Sequence, residues 1–185
     1  MSAAADFFAR WRVRLGYPLA VLVFWLARPT PRSILAGACV GIAGLWVRAW
    51  AAGYLHKQEV LTVTGPYAHT RNPLYLGSAI LTLSAAIATR SWLCVFILSG
   101  FFSMVYSAVM HREERELRRR HPAGFDEYAT AVPLFFPRFT AAQIGGASAG
   151  SFSFAQYRKN HEWQAAIGFL VLLALLLLLW HLRLH

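Results

Sequence analysis

The sequence predicts an all-α polytopic membrane protein with about five transmembrane helices. Three observations carry that reading. Of the 185 residues 57% are apolar and only 14% charged, whereas a soluble domain carries about 25% charged residues. The apolar residues fall into five runs separated by polar stretches of very different length. The basic residues, which give a net charge of +10, are mostly arginines, and most of them flank those runs, the pattern of a membrane surface rather than of a nucleic-acid face.

Taken in order, residues 1–12 contain Phe7, Phe8 and Trp11 beside Arg10 and Arg12, an amphipathic lead suited to the membrane surface. Val13 to Ala27 is a first apolar segment, short against the ~20 residues a span needs. No small-residue cleavage site follows it and further spans come after, so a retained helix is expected rather than a signal peptide. Arg28-Pro-Thr-Pro-Arg32 is a tight turn. Ser33 to Ala52 is a second span, with Gly37, Gly41 and Gly44 at a spacing that lets helices approach closely. Arg48 sits in its last turns, where a long cation can snorkel to the surface. Pro73 to about Ala88 is a third span. The link Thr89-Arg90-Ser91 is so short that the fourth span, Trp92 to about Val109, is expected antiparallel to the third. The fourth helix continues as the charged stretch 110–120. Gly124 to Ala131 is a short helix. Residues 139–153, rich in Ala, Gly and Ser, read as a linker, and Phe154 to Trp163 as an amphipathic approach to a last span, Gln164 to Leu182. The chain thus divides into a membrane core, 1–138, with polar segments 59–77 and 106–138, then the linker 139–153, then the C-terminal anchor 154–185.

An N-in arrangement places 14 of the 18 lysines and arginines on the cytoplasmic side, leaving Arg28, Arg32, Arg90 and Arg183 outside. The positive-inside rule therefore favours it. It also puts the polar hinge 59–77 and the charged end of the fourth helix on one side of the membrane. Cys39 and Cys94 both lie in apolar runs and imply no disulfide framework.

The chemistry is concentrated in that hinge. Gly65-Pro66 signals a turn, Asn72-Pro73 a helix start, and Tyr67, Arg71 and Tyr75 recur about one helical turn apart at the mouth of an apolar segment. A plain inter-helix loop has no need of that set. On the fourth helix Glu114 and Glu116 have Arg118 and Arg120 four residues on, a spacing that favours solvated pairs. Glu113 has no local cation and shares a stripe with Tyr106, Met110 and Leu117, which is expected to face apolar partners. It is either a core ion pair with Arg71 or Arg48, or a carboxylate that receives a cationic ligand. His56, His69, His111 and His121 show no metal-ligand spacing with supporting acids, so no metal is expected. No nucleophile triad or phosphate-cradling glycine loop is present. The stretch Tyr157-Arg-Lys-Asn-His-Glu-Trp163 reads as an interfacial anchor.

The block Gly65-Pro-Tyr-Ala-His-Thr-Arg-Asn-Pro-Leu-Tyr-Leu-Gly77, followed by Glu113-Glu-Arg-Glu-Leu117, Phe125-Asp-Glu-Tyr128 and Val132-Pro133, resembles the isoprenylcysteine carboxyl methyltransferase family. The phospholipid N-methyltransferases share it more loosely. The resemblance covers roughly residues 45–138. It implies a multi-spanning protein that binds S-adenosyl-L-methionine without a Rossmann domain. By the same resemblance Glu59, Val60, Leu61, Thr62 and Tyr67 border the cofactor, Asn72, Pro73, Leu74 and Tyr75 match the family's His-Pro-x-Tyr motif, and Glu113 matches the first acid of its Glu-Glu pair. Lys57 falls near a further polar cofactor position. Two positions depart from the family. Asn72 stands in place of the usual His, which removes an imidazole role. Val109 stands where the eukaryotic enzymes carry a substrate-contacting arginine, so the prenylcysteine acceptor is less well supported than the cofactor.

The charges suit such a ligand. Glu113 would take its ammonium, Arg71 or Lys57 would offset its carboxylate, and Tyr67 or Tyr75 would face the adenine or sulfonium. The expected protein is an integral membrane methyltransferase that uses S-adenosyl-L-methionine on a lipophilic acceptor, with Glu113 and Arg71 as its catalytic charges. Its partners are the lipid bilayer and that acceptor, with no nucleic acid. Two rivals stand beside it: a small non-enzymatic membrane protein that binds lipid or assembles through its glycines, and an NADPH-dependent sterol-type reductase.

Overall fold

A computed structural model of the chain describes residues 3–56, 60–144 and 150–183, with side chains from residue 14 onward except at 123. The described residues contain no strand. The helices are α1 (Ala3–Leu26), α2 (Pro31–Tyr54), α3 (Pro73–Thr89), α4 (Trp92–Arg120), α5 (Pro122–Ala131), α6 (Phe154–Lys159) and α7 (Trp163–Leu182), with a 3-10 turn at Gly65–Ala68. Three of them, α2, α4 and α7, are long and apolar enough to cross a membrane. The apolar stretches Arg14–Leu26 and Pro73–Thr89 are shorter. The five expected apolar segments are therefore all helical. The expected surface lead is not a separate element, because α1 runs from it into the first apolar segment without a break.

The residues group into two compact units. In the first, Met1–Ala43, Ala79–Val109 and Ala166–His185, the buried residues Ala27, Ile34, Ala88 and Leu176 meet Phe24, Leu172, Leu173 and Leu179. Close approach is what the small residues serve. A Cβ on Gly37 would lie 2.7 Å from the carbonyl oxygen of Ser84 and 2.8 Å from the Ala88 Cβ, so only glycine allows this crossing. There the buried Ser84 hydroxyl donates to the Gly37 carbonyl at 2.6 Å. Hydroxyl-to-carbonyl bonds of this kind act as glue where apolar burial gives helices no preference for each other over lipid. Ser33 adds a second, to the Ala88 carbonyl at 3.0 Å. Ser33 and Thr30 also cap the start of α2 reciprocally, each backbone N–H donating to the other's hydroxyl at 3.2 and 2.9 Å. The α3–α4 link is made by Arg90 at φ +51°, a left-handed turn that explains how so short a connection reverses the chain. Along α7 only Phe169 and Leu176 are buried, so most of its apolar surface faces outward.

The second unit comprises Gly44–Ser78 and Met110–Ala165. Its core is Phe125, Tyr128 and Val132, covered by Leu61, Val63, Ala129, Ala131, Ala142 and Ile144. The hinge is held by a series of bonds to the stretch after α5. Arg71 N–H donates to the Pro133 carbonyl at 3.0 Å, Arg138 N–H to the His69 carbonyl at 3.0 Å and Ala142 N–H to the Ala68 carbonyl at 2.9 Å. The buried Thr70 hydroxyl donates to the Phe135 carbonyl at 2.9 Å. A loop whose backbone is satisfied this way is a fixed scaffold rather than a tether. Gly65, at φ +60°, begins it, and a Cβ there would run into the Tyr54 ring.

Candidate functional site

Polar side chains of the hinge, of the charged end of α4, of α2 and of the residue before α7 form three ion-pair or hydrogen-bond contacts, and the same unit holds a buried hydroxyl. That hydroxyl belongs to Tyr67. The residue is only 6% exposed, and among the described residues its oxygen has no hydrogen-bond partner. An unsatisfied buried hydroxyl costs about 1–3 kcal/mol. Burial pushes its pKa well above the ordinary range, and the charges of Glu113 and Glu162 and the hydroxyls of Tyr128 and Tyr75 add to the shift. Those groups therefore lie within electrostatic reach of it. The Tyr67 backbone carbonyl is fixed from below by the Tyr128 hydroxyl at 2.9 Å.

The first contact joins Tyr75, in the first turn of α3, to Glu113 on α4: the phenol donates to a carboxylate oxygen at 2.6 Å. Glu113 is exposed, which corrects the expectation that its stripe faces apolar partners. Met110 on that stripe is buried, but Leu117 is exposed like Glu113. The reason is α5, which engages the Arg118 side of α4. The Arg118 guanidinium lies 5.3 Å over the Phe125 ring and binds Asp126 at 2.8 Å. That geometry also overturns the expected Glu114–Arg118 pair, whereas Glu116–Arg120 forms as the spacing predicts, at 2.7 Å.

Glu114 instead pairs with Arg71, and the two side chains are only 20% and 14% exposed. Burial lowers the Arg71 pKa, a nearby Arg118 lowers it further and the Tyr128 hydroxyl opposes the shift. One guanidinium nitrogen, Nε, is buried without a partner among the described residues. The third contact is a bidentate fork from Arg48 to Glu162, Nε to Oε2 at 2.9 Å and Nη2 to Oε1 at 2.8 Å. Arg48 also donates to the Ser78 hydroxyl at 2.5 Å and the Leu74 carbonyl at 3.4 Å. Arg48 therefore does not snorkel. Among the described residues neither Arg71 nor Arg48 forms the core ion pair considered for Glu113.

The other expected site residues are placed as follows. Asn72 donates its amide to the Leu134 carbonyl at 2.9 Å, so that side chain braces the hinge. Pro73 is buried, and the Leu74 carbonyl is held by Arg48 and Ser78. Thr62 accepts from the His56 N–H at 3.3 Å. The Leu61 side chain packs on the α5 core, and Val60 is 58% exposed. Lys57 and Glu59 lie outside the described residues. Among the described residues no three His, Cys, Asp or Glu side chains group as a metal site. The residues that sequence reasoning missed are Glu114, Glu162, Ser78 and Thr70. Charge accounting offered a signal for Glu162: an arginine inside an apolar helix demands a counter-charge, and the chain has only eight acids.

Fold and site together define a polytopic helical membrane protein with a braced polar hinge and a partly buried cluster of ionisable side chains. The chain belongs to the phospholipid methyltransferase family, whose model matches residues 11–123. That span holds the hinge, Tyr67, Tyr75 and Glu113. The chain is similar to the cobalt-zinc-cadmium resistance protein CzcN of Cupriavidus metallidurans, 31% identical over 157 residues, which are 81% of this chain and 71% of that protein. It is also similar to the nickel-cobalt-cadmium resistance protein NccN of Alcaligenes xylosoxydans xylosoxydans, 32% identical over 137 residues, 70% of this chain and 64% of that protein. No solved structure matches the chain significantly.

Proposed function

We propose that this protein is an integral membrane methyltransferase that uses S-adenosyl-L-methionine to methylate a lipophilic acceptor, a prenylcysteine-like carboxylate or a lipid headgroup. The observation that carries the reading is the buried, unpartnered Tyr67 hydroxyl beside the Tyr75–Glu113 pair, in the stretch matched to a methyltransferase family. The donor set suits a zwitterionic sulfonium nucleoside. Glu113, already oriented by Tyr75, receives an ammonium group. Arg71 Nε, a buried donor without a partner, suits a carboxylate. Tyr67 offers a hydroxyl to hydrogen-bond and a ring face to a cation. Val60, Leu61, Thr62 and the turn Asn72–Tyr75 complete the walls; the resemblance adds Lys57 and Glu59, which lie outside the described residues.

A bound S-adenosyl-L-methionine would supply a methyl group on a sulfonium sulfur for transfer to a carboxylate oxygen or an amine nitrogen, with a neutral thioether as the leaving group. The chain's own residues position and exclude water. A carboxylate acceptor needs no base. An amine acceptor must lose a proton, with Glu113 or a histidine as the base. The lipid tail reaches the site from the bilayer, and the site faces the cytoplasm, as the arginine distribution favours.

Calorimetric titration of the detergent-purified protein with S-adenosyl-L-methionine, its demethylated product S-adenosylhomocysteine, and NADPH tests this. Micromolar binding of the two adenosyl ligands, lost in Glu113→Gln, is expected. Binding of NADPH alone would favour a reductase instead, and binding of none would favour a lipid-binding role. The relatives' names connect them with resistance to metals. We extend that to this chain as a phenotype: cells that depend on it lose tolerance to cobalt or cadmium when it carries Glu113→Gln, through loss of a methylated lipid product.

A further inference from the structure

The segment 150–162 lies beyond the family match at residues 11–123, yet it is built into the same compact unit as the hinge. Its polar side chains and backbone close the end of α2. Ser153 N–H donates to the Gly53 carbonyl at 3.0 Å, Gln156 Nε2 to the Leu55 carbonyl at 2.5 Å, and Asn160 Nδ2 to the Ala52 and Leu55 carbonyls at 2.8 and 2.9 Å. These are terminal carbonyls that a helix leaves without partners of its own. The Phe152 ring occupies the space that a side chain at Gly53 would need. His161 then adopts φ +56°, a left-handed conformation that non-glycine residues take only where their surroundings impose it. It directs the chain into Glu162.

Glu162 is 9% exposed in its side chain and holds both Nε and Nη2 of Arg48, so the guanidinium plane is fixed by a fork rather than by a point charge. The remaining nitrogen of that plane holds the Leu74 carbonyl and Ser78. Leu74 is the residue before Tyr75, whose hydroxyl orients Glu113. Gly77 makes the crossing possible, since a Cβ there would lie 2.5 Å from Arg48 Cγ and 2.9 Å from the Gly44 carbonyl oxygen. A buried ion pair is poor evidence of a stabilising role, because well-packed apolar substitutes often serve stability as well or better. Its value here is geometric.

We propose that Glu162 is a positioning residue for the methyl-donor site, acting through Arg48 to set the first turn of α3 and so the Tyr75–Glu113 pair, with the segment 150–162 as the strap that delivers it. The proposal rests on the methyltransferase reading. It extends the site to a part of the chain outside the family match.

The test compares wild type, Glu162→Gln, and the apolar pair Arg48→Met with Glu162→Met, measuring melting temperature in detergent and S-adenosylhomocysteine affinity by calorimetry. Glu162→Gln is expected to melt several degrees lower and to bind more weakly. The apolar double variant is expected to melt close to wild type, yet to bind about tenfold more weakly, a loss that a merely structural pair would not produce. Wild-type affinity in a double variant that melts normally would overturn the proposal and leave the methyltransferase reading standing. If the wild type itself binds no adenosyl ligand, that reading falls, and the proposal with it. If the double variant fails to fold, Glu162→Asp replaces it, keeping the charge but shortening its reach. Weakened binding at an unchanged melting temperature supports positioning, and unchanged binding overturns it.

Discussion

The Tyr75 hydroxyl donates to Glu113 at 2.6 Å across 38 residues of sequence. One partner opens α3 and the other stands on the charged end of α4, so the bond ties the hinge to that helix. It also fixes which way a carboxylate faces beside the orphaned hydroxyl of Tyr67.

Removing the charge at that carboxylate tests its role as the receptor for a cationic group. Glu113→Gln is expected to weaken S-adenosyl-L-methionine binding about tenfold to a hundredfold, the range for a hydrogen bond to a charged group. Tyr75→Phe keeps the charge but frees its orientation, and a smaller loss is expected. Because Glu113 is exposed, neither change should lower the melting temperature much. Titration calorimetry and thermal melts on the same samples separate the two effects.

Arg71 and Glu114 add a stability loss to the ligand role proposed for Arg71. Their side chains are largely buried, so Arg71→Met leaves a carboxylate without its cation and is expected to cost about 3 kcal/mol, the lower end for breaking a buried pair. Adding Glu114→Met should recover much of that loss. A double-mutant cycle from melting curves measures the coupling, and additive losses would show that the pair is not a unit.

The tyrosines set a pH dependence. Burial pushes the pKa of Tyr128 up, against a lowering influence of Arg71, and burial pushes Tyr67 up as well. In the unfolded chain tyrosine loses its proton near pH 10, while the folded hydroxyls keep theirs. Above that pH the unfolded state binds fewer protons, so this contribution to stability is present below about pH 10 and is lost as pH rises further. Melting temperatures from pH 8 to pH 11 should fall at the alkaline end, and Tyr67→Phe should flatten the fall. Tyr128→Phe should flatten it too, while costing about 1 kcal/mol at neutral pH for the bond to the Tyr67 carbonyl.

Glycine substitutions distinguish packing from mere composition. Gly37→Ala places a Cβ against the Ser84 carbonyl oxygen and the Ala88 side chain and should cost about 1–3 kcal/mol. Gly168→Ala meets nothing within 4 Å and should be neutral or gain up to about 1 kcal/mol from helix propensity. Melting temperatures of the two single variants decide it.

The sequence by itself determined the helices and the hinge. Helix formation and partition into a membrane depend on neighbouring residues and add up along the chain, so apolar runs closed by Arg28-Pro-Thr-Pro-Arg32, Gly65-Pro66 and Asn72-Pro73 locate the elements to within a few residues. Tyr67, Arg71 and Tyr75 stood out as candidates because a plain loop has no use for them. Which charge meets which was decided only by the tertiary structure. Glu114 turned from its neighbour Arg118 to Arg71 because α5 brings Asp126 to Arg118. Arg48 found Glu162, 114 residues away, because the strap after α5 returns to cap α2. An ion pair is chosen by distance and burial after the chain has closed on itself, and no local pattern encodes that closure.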